Sequence, residues 1–186
     1  MARSHGRLRP FSCRCGQVVL ETVDAPIVTA ICHCTSCRTA RERIQALPGA
    51  PDMAEDDGGT AYALYRKDRI RCVQGAELLR EYRLTPVAKT RRVLAHCCNA
   101  PMFLEFERGH WLSLYRQRFA AGDRPVPEMR VMTGDRKTGF EREGDMPSYG
   151  SHSGRFMWKL LSTWIAMGFR APKIDYVKGG VGHYAG

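Results

Sequence analysis

"CHCTSC", residues 32–37, places three cysteines and one histidine within six positions. Thiols at this density form disulfides, carry out redox chemistry or hold a metal ion. A cysteine pair lies upstream in "SCRCG" (Cys13 and Cys15), and another lies downstream in "AHCCN" (Cys97 and Cys98). A constellation in three parts indicates a metal site far more strongly than a single CxxC motif does.

The expected compartment bears on what these thiols do. Residues 1–16 contain basic residues with no apolar run after them, so we expect no secretory signal and a cytoplasmic location. Thiols stay reduced there, which favours metal binding or catalysis over disulfides. A redox role for Cys34-x-x-Cys37 is an alternative. The usual redox motif, however, opens a helix after a strand in a βαβ unit, a context that we do not expect here.

The pattern of short apolar runs predicts a mainly β fold. Many short strands separated by turn residues favour an all-β domain over residues 1–150, and residues 151–186 are expected to form a helical extension packed on or beside it. The strand predictions are two short strands in 17–31 around Pro26, one strand in 61–75, strand–knuckle–strand in 91–107, and one strand in 110–119, with a loop at 47–60 and no decision between helix and strand at 77–84.

Residues 155–170 predict a helix, because their apolar positions follow helical spacing. Its apolar run is too short for a membrane span, which needs about 20 residues. Two interpretations stay open: a stripe packed on the sheet, or a face for a membrane surface or a second copy of the chain. The stripe consists of Met157, Leu160, Leu161, Trp164 and Ile165.

The chain is basic, with a formal net charge of +10 over 186 residues. This excess predicts either a solvated surface or a basic rim around a site for an anionic small molecule. Residues 62–71, "YALYRKDRIR", are the best candidate for nucleic-acid binding, but their alternation first indicates a strand with one wet face. We therefore expect no specific nucleic-acid partner, and a homo-oligomer is left open.

The cysteines divide into two candidate ligand sets. Three thiols within residues 32–37 would leave one zinc position open, as in catalytic zinc sites, whereas structural sites use four protein ligands. Cys13 and Cys15 need partners, and the turn "HCC" at 96–98 is the remaining cluster. Cys72 is predicted to be a small buried hydrophobe, and His33 is predicted to point away from the thiols because neighbouring residues of an extended segment alternate in direction.

The motifs "CRCG", "CHCTSCR" and "CNAPMF" resemble the signature of the glutathione-dependent formaldehyde-activating enzymes, a family that includes the centromere protein V group. The family pattern is CxCG, then CHCxxCR, then CxxCGxPL, and the resemblance covers about residues 10–150. It implies a mostly β, zinc-bearing fold similar to small exchange-factor-like proteins that bind Rab GTPases. It also implies one or two zinc ions per chain.

The resemblance assigns roles to the cysteines, with one departure. It implies that Cys32, Cys34 and Cys37 hold the zinc at the reaction centre and that Cys13, Cys15 and Cys98 supply three of the four ligands of a structural zinc. The fourth family cysteine falls on Ala95, and the following family glycine falls on Asn99. We expect Cys97, rather than His96, to replace the missing ligand; the alternative is a structural site that is weakened or absent.

The implied activity is the joining of formaldehyde to the thiol of glutathione, which makes the chain a zinc-dependent carbon–sulfur lyase. Arg38, directly after the cluster, could engage a carboxylate of a glutathione-like substrate. The alternative is a non-catalytic zinc module that binds a protein or a nucleic acid. An open fourth position beside a pocket favours the enzyme, and a fourth protein ligand favours the module.

Overall fold

Two β-sheets and two α-helices make up the structure, a computed structural model that describes residues 7–136 and 145–181. The predicted mainly β fold with a C-terminal helix is confirmed. The strands are β1 Leu8–Ser12, β2 Val19–Val23, β3 Val28–Cys32, β4 Thr60–Arg66, β5 Ile70–Gln74, β6 Leu79–Tyr82, β7 Thr90–Ala95, β8 Ala100–Phe106, β9 Trp111–Tyr115, β10 Met129–Val131 and β11 Gly179–Val181, and the helices are α1 Thr35–Gln45 and α2 Gly154–Ala166.

The smaller sheet has the strand order β1-β2-β5, and the larger sheet has the order β10-β3-β4-β9-β8-β7-β6-β11. Adjacent strands run antiparallel except at the two edges of the larger sheet, where β10 pairs with β3 and β11 pairs with β6 in parallel. The larger sheet contains β3, which ends at Cys32, and also β7 and β8, which flank the cysteine turn at 96–98.

The larger sheet has a hydrophobic core on each face, because successive strand residues point to opposite sides. One core joins it to the smaller sheet, and the buried residues include Phe11, Leu20 and Leu112. The other core joins it to the two helices, and includes Ile44 of α1 and Leu160 of α2. The fold thus has three layers, with the larger sheet in the middle.

The prediction of a single strand in 61–75 is wrong. The segment forms β4 in the larger sheet and β5 in the smaller one, separated by a 3₁₀ turn, Lys67–Arg69. Lys67 is buried at this crossing and its Nζ lies 2.5 Å from a carboxylate oxygen of Glu105. Alternation alone could not reveal the change of sheet, since both strands continue the same polarity pattern.

The sequence patterns do not predict helix α1, although its buried residues Cys37, Ala40 and Ile44 follow helical spacing. Cys34 caps the helix, because its Sγ accepts a hydrogen bond from the backbone N–H of Cys37 at 3.3 Å. The CxxC motif therefore does open a helix after a strand, which the sequence pattern did not lead us to expect. A βαβ unit is nevertheless not formed between β3 and β4, because these strands pair antiparallel.

Helix α2 follows Ser153, whose Oγ accepts a hydrogen bond from the N–H of Phe156. Phe156 and Leu160 are the buried residues of the helix, so α2 does pack on the larger sheet. The interpretation of the whole stripe as core is wrong for its other four residues, because their side chains are 37–51% exposed. They are Met157, Leu161, Trp164 and Ile165.

Within the described residues, no helix combines the length and the apolar character needed to cross a membrane. Helix α2 packs against the core formed by the first 150 residues, and strand β11 pairs with β6. The division of the chain at residue 150 stays a prediction.

Candidate metal centres and the adjoining cavity

The hexapeptide at 32–37 places its three thiols at the junction of a strand and a helix. Cys32 ends β3, Cys34 is the N-cap of α1, and Cys37 lies in the first turn. Their Sγ atoms all lie within 4.8 Å of one another. Among the described residues, no further His, Cys, Asp or Glu joins this group, which we call the open set.

The thiols of the open set strongly affect each other's ionisation. Hydrogen bonds from Cys32 and Cys34 lower the pKa of Cys37 well below its ordinary value, and the nearby Arg92 guanidinium and the Tyr62 hydroxyl add to this effect. The same hydrogen bonding raises the pKa of Cys32. Three thiolates at one point therefore need a compensating cation, and soft sulfur donors suit zinc.

His33 lies between two candidate ligands but faces a different environment. The side chain is buried, its Nε2 lies 3.6 Å from Asp57, and Arg136 donates a hydrogen bond to the same Nε2 at 3.1 Å. This is the direction expected from strand alternation. The buried Arg130 in turn donates from Nε to Asp57 at 2.5 Å.

Asp57 is the centre of this polar group. Burial opposes ionisation of its carboxyl, but the nearby His33 ring and hydrogen bonds from Arg130 and from the Gly59 N–H outweigh burial and hold the pKa below its ordinary value. The segment of the open set is thus anchored by hydrogen bonds that do not involve its sulfur atoms.

A second group, which we call the closed set, joins Cys13, Cys15, Cys97 and Cys98, with all four Sγ atoms within 4.8 Å of one another. The Sγ of Cys97 lies 3.3 Å from that of Cys15 and 3.8 Å from that of Cys13. Four sulfurs bound to zinc at about 2.3 Å would be about 3.8 Å apart, so the spacing is close to that of a tetrahedral site.

The turn between β7 and β8 explains how the closed set forms without a cysteine at position 95. Ala95 is fully buried at the end of β7, and the exposed His96 is outside the set. Cys97 lies in the set together with Cys98. Asn99 has φ of 50°, the left-handed conformation that glycine adopts readily and that asparagine tolerates.

Two other residues singled out from the sequence lie outside both sets. Cys72 is half-buried, and its Sγ lies 3.4 Å from the Gln74 carbonyl oxygen. Arg38 donates hydrogen bonds to the backbone oxygen of Asp135 and to Thr35. It lines a cavity of about 160 Å³ next to Cys32, together with Arg136. Its predicted contact with a substrate carboxylate stays a prediction.

A larger cavity, of about 490 Å³, adjoins the open set. All three cysteines of the set line this cavity, and helix α2 forms part of the wall through Phe156 and Leu160. Arg92 of β7 also lines it, and this residue is not among those predicted from the sequence. The sequence does contain a signal for this position, because Arg92 shares one face of a predicted strand with the apolar Leu94.

Comparison with known proteins bears on the first part of the chain. Residues 9–50 match the family model described as glutathione-dependent formaldehyde-activating enzyme (GFA). Over these residues the chain is similar to that family. The GFA match includes Cys13, Cys15 and the whole open set, whereas Cys97 and Cys98 lie beyond it.

No curated protein matches the chain. Among solved structures, the chain is similar to a crystal structure of a Rhodobacter sphaeroides protein, with 20% sequence identity and a TM-score of 0.44. The similar region covers 62% of this chain and 91% of that one. A likeness at this level carries no argument about activity.

Proposed function

We propose that the chain is a zinc-dependent carbon–sulfur lyase of the formaldehyde-activating type, which acts on the adduct of a thiol with an aldehyde. One observation carries the proposal: the three thiols of the open set line a cavity of about 490 Å³ and, among the described residues, have no fourth protein ligand. A three-ligand site that faces a cavity is the arrangement of catalytic zinc centres. The family's thiol, glutathione, is the starting expectation for the substrate.

The donor atoms fit zinc at both sets. Each set consists of cysteine sulfur alone, and all eight cysteines of the chain are free. We therefore propose up to two zinc ions per chain, a structural ion in the closed set and a catalytic one in the open set. A bound zinc ion supplies Lewis acidity and keeps a thiol ionised near neutral pH. Free thiols also suit the proposed cytoplasmic location.

The surrounding side chains would orient the sulfur ligands and balance their charge. Tyr62 donates a hydrogen bond to the Cys37 Sγ at 3.5 Å, which fixes the direction of that ligand. The Arg92 guanidinium offsets the negative charge of the thiolates. In the synthetic direction, the substrate sulfur forms a bond to the aldehyde carbon and the thiol proton is transferred to the aldehyde oxygen. The reverse reaction breaks the same carbon–sulfur bond.

A non-catalytic, nucleic-acid-binding module receives less support from the surface. Residues 62–71 do not present exposed aromatics between free cations, because Tyr62 and Tyr65 are buried. The arginines of this stretch form ion pairs with nearby carboxylates: Arg66 with Asp68, Arg69 with Asp24, and Arg71 with Glu21. Stacking platforms for bases need exposed rings. The enzyme is therefore the better supported interpretation.

Replacing Cys34 by serine tests the proposal. Serine is a good N-cap, so Cys34→Ser should keep the start of α1 while removing one sulfur ligand of the open set. We expect loss of one metal equivalent, loss of catalysed adduct formation and a small change in the unfolding temperature. Elemental analysis, exchange NMR of thiol with formaldehyde, and thermal unfolding would measure these.

Exchange NMR is needed because the adduct also forms unaided, so the catalysed rate must be separated from the background. A Cys34→Ser protein that keeps the full catalysed rate would overturn the proposal. A protein that unfolds and loses all its metal would show that the open set is purely structural.

A further inference from the structure

The cavity beside the open set is mainly apolar. Its walls come from the helix-side face of the larger sheet, where six strands contribute, and from the helices α1 and α2. The apolar wall residues include Leu64, Leu104, Phe106, Trp111, Val131 and Leu160. A volume of about 490 Å³ is large enough for a small organic molecule.

Among the described residues of this wall, Arg92 is the only Asp, Glu, Lys or Arg. The other ionisable side chains there are the three thiols, the Tyr62 hydroxyl and the His152 ring. Arg92 is 1% exposed. Its Nη2 donates to the carbonyl oxygen and to the hydroxyl of Ser36, both at 3.1 Å. Its Nε has no hydrogen-bond partner, and no carboxylate forms an ion pair with Arg92 within the described part of the chain.

A buried guanidinium N–H without a partner is costly, because the group has lost its water without gaining a replacement. The thiols near Arg92 balance its charge but do not occupy Nε. Because Arg92 lines the cavity, its guanidinium is the cation that an acceptor entering the cavity would meet. A carboxylate matches the geometry and the charge of a guanidinium better than other common acceptors do.

Glutathione suits these walls poorly. It carries two carboxylates, one ammonium and two peptide groups, and each needs a polar partner when it is buried. The described walls offer one cation and no carboxylate for the ammonium. Most of its polar groups would therefore be buried against apolar side chains such as Leu104 and Trp111.

We propose that the thiol accepted here has an apolar alkyl or aryl body and one carboxylate, with the carboxylate bound by Arg92 and the body held against the apolar walls. This inference rests on the proposed function for the fate of the sulfur, but the binding of the body and the carboxylate does not require catalysis. Binding can therefore be tested with a ligand that has no thiol.

The probe is 4-phenylbutyrate, which carries an aryl body and one carboxylate but no sulfur. Isothermal titration calorimetry on the full, zinc-loaded chain should show binding that is at least about tenfold tighter than that of S-methylglutathione, a thioether with all the charges of glutathione. Arg92→Met should weaken 4-phenylbutyrate about tenfold, in keeping with the loss of one charged hydrogen bond.

Because a substitution at the buried Arg92 could affect folding, a second variant uses Phe106, which is 46% exposed at the cavity wall. Phe106→Ala should also weaken 4-phenylbutyrate, by about threefold to tenfold. The matched controls are Arg69→Met, which alters an ion pair with Asp24 away from the cavity, and Phe169→Ala, which removes a ring that is 59% exposed after α2. Both should bind like the unaltered chain.

The outcomes separate this inference from the proposed function. Binding of 4-phenylbutyrate that depends on Arg92 and Phe106 supports the inference even if no thiol adduct is turned over. Equal or tighter binding of S-methylglutathione overturns it, whether or not the chain proves to be a lyase. Binding that is unchanged in both cavity variants also overturns it.

Discussion

The two cysteine sets differ in what holds them together. The closed set joins segments that are far apart in the chain, since Cys13 and Cys97 are 84 positions apart. The open set is local, within residues 32–37, and a strand end, a helix cap and the buried contacts of His33 hold it in place. A metal ion should therefore act as a long-range cross-link in the closed set and as a reaction centre in the open one.

The largest expected effect comes from the closed set. Cys13 is buried, and its Sγ also accepts a hydrogen bond from the Val18 N–H at 3.3 Å. Cys13→Ser should remove one metal equivalent and lower the free energy of unfolding by roughly 3–5 kcal/mol, because a lost structural metal is among the most destabilising changes. Elemental analysis and urea unfolding would measure both.

The comparison with the open set sharpens this expectation. If Cys13→Ser and Cys34→Ser had equal effects on stability, the division into a structural and a reactive set would be wrong. If the metal content were unchanged in Cys13→Ser, the closed set would not be a metal centre at all.

An intermediate effect is expected at Asp57, the anchor of the open set. Asp57→Asn should lower the free energy of unfolding by about 2 kcal/mol near neutral pH, since it weakens buried contacts with Arg130 and His33. The folded-state pKa of Asp57 lies below its unfolded value of about 3.9. Its contribution is therefore present above that pH and is lost as pH falls through the folded-state value.

The test is urea unfolding of both proteins at several pH values. The stability difference should be full at about pH 5 and should shrink below about pH 4. The exposed Asp175 provides a control through Asp175→Asn, which should show no such dependence. A difference that grows as the solution becomes more acidic would contradict the assignment.

The smallest effect is expected at Cys72, which belongs to neither set. Cys72→Ser should leave the metal content unchanged and alter the free energy of unfolding by less than about 1 kcal/mol, because the side chain is only half-buried. Metal analysis alongside Cys13→Ser is the natural comparison. Loss of a metal equivalent here would mean that the ligand sets are wrongly drawn.

Much of the fold could be predicted because strands and motifs reinforce one another. The two strands around Pro26 and the strand–turn–strand at 91–107 are present, since β-branched runs bounded by turn residues are a strong local signal. Helix α1 is not predicted, because its first turn lies within the cysteine motif, which indicates a metal-binding turn before it indicates a helix. The change of sheet at Lys67 depends on a contact with Glu105, which is distant in sequence.

The candidate site divides in the same way. The cysteine groupings could be expected from the clustering of the thiols, whereas the expectation that Cys97 replaces a ligand missing at Ala95 comes from the resemblance to the family pattern. The cavity does not follow from spacing, because its walls come from six strands and two helices that meet only in the folded chain. The role of Arg92 could be suspected from its position in β7, but its unpartnered Nε is visible only in three dimensions.

Helix α2 forms one wall of the cavity, while the sulfur ligands come from residues more than a hundred positions earlier in the chain. Under the proposed function, metal binding by the thiols and the fit of the ligand along α2 would therefore depend on separate stretches of sequence. Substitutions along the inner face of α2 can change which molecules fit without disturbing the cysteines. A single chemistry could in this way be redirected to new compounds by altering one peripheral element.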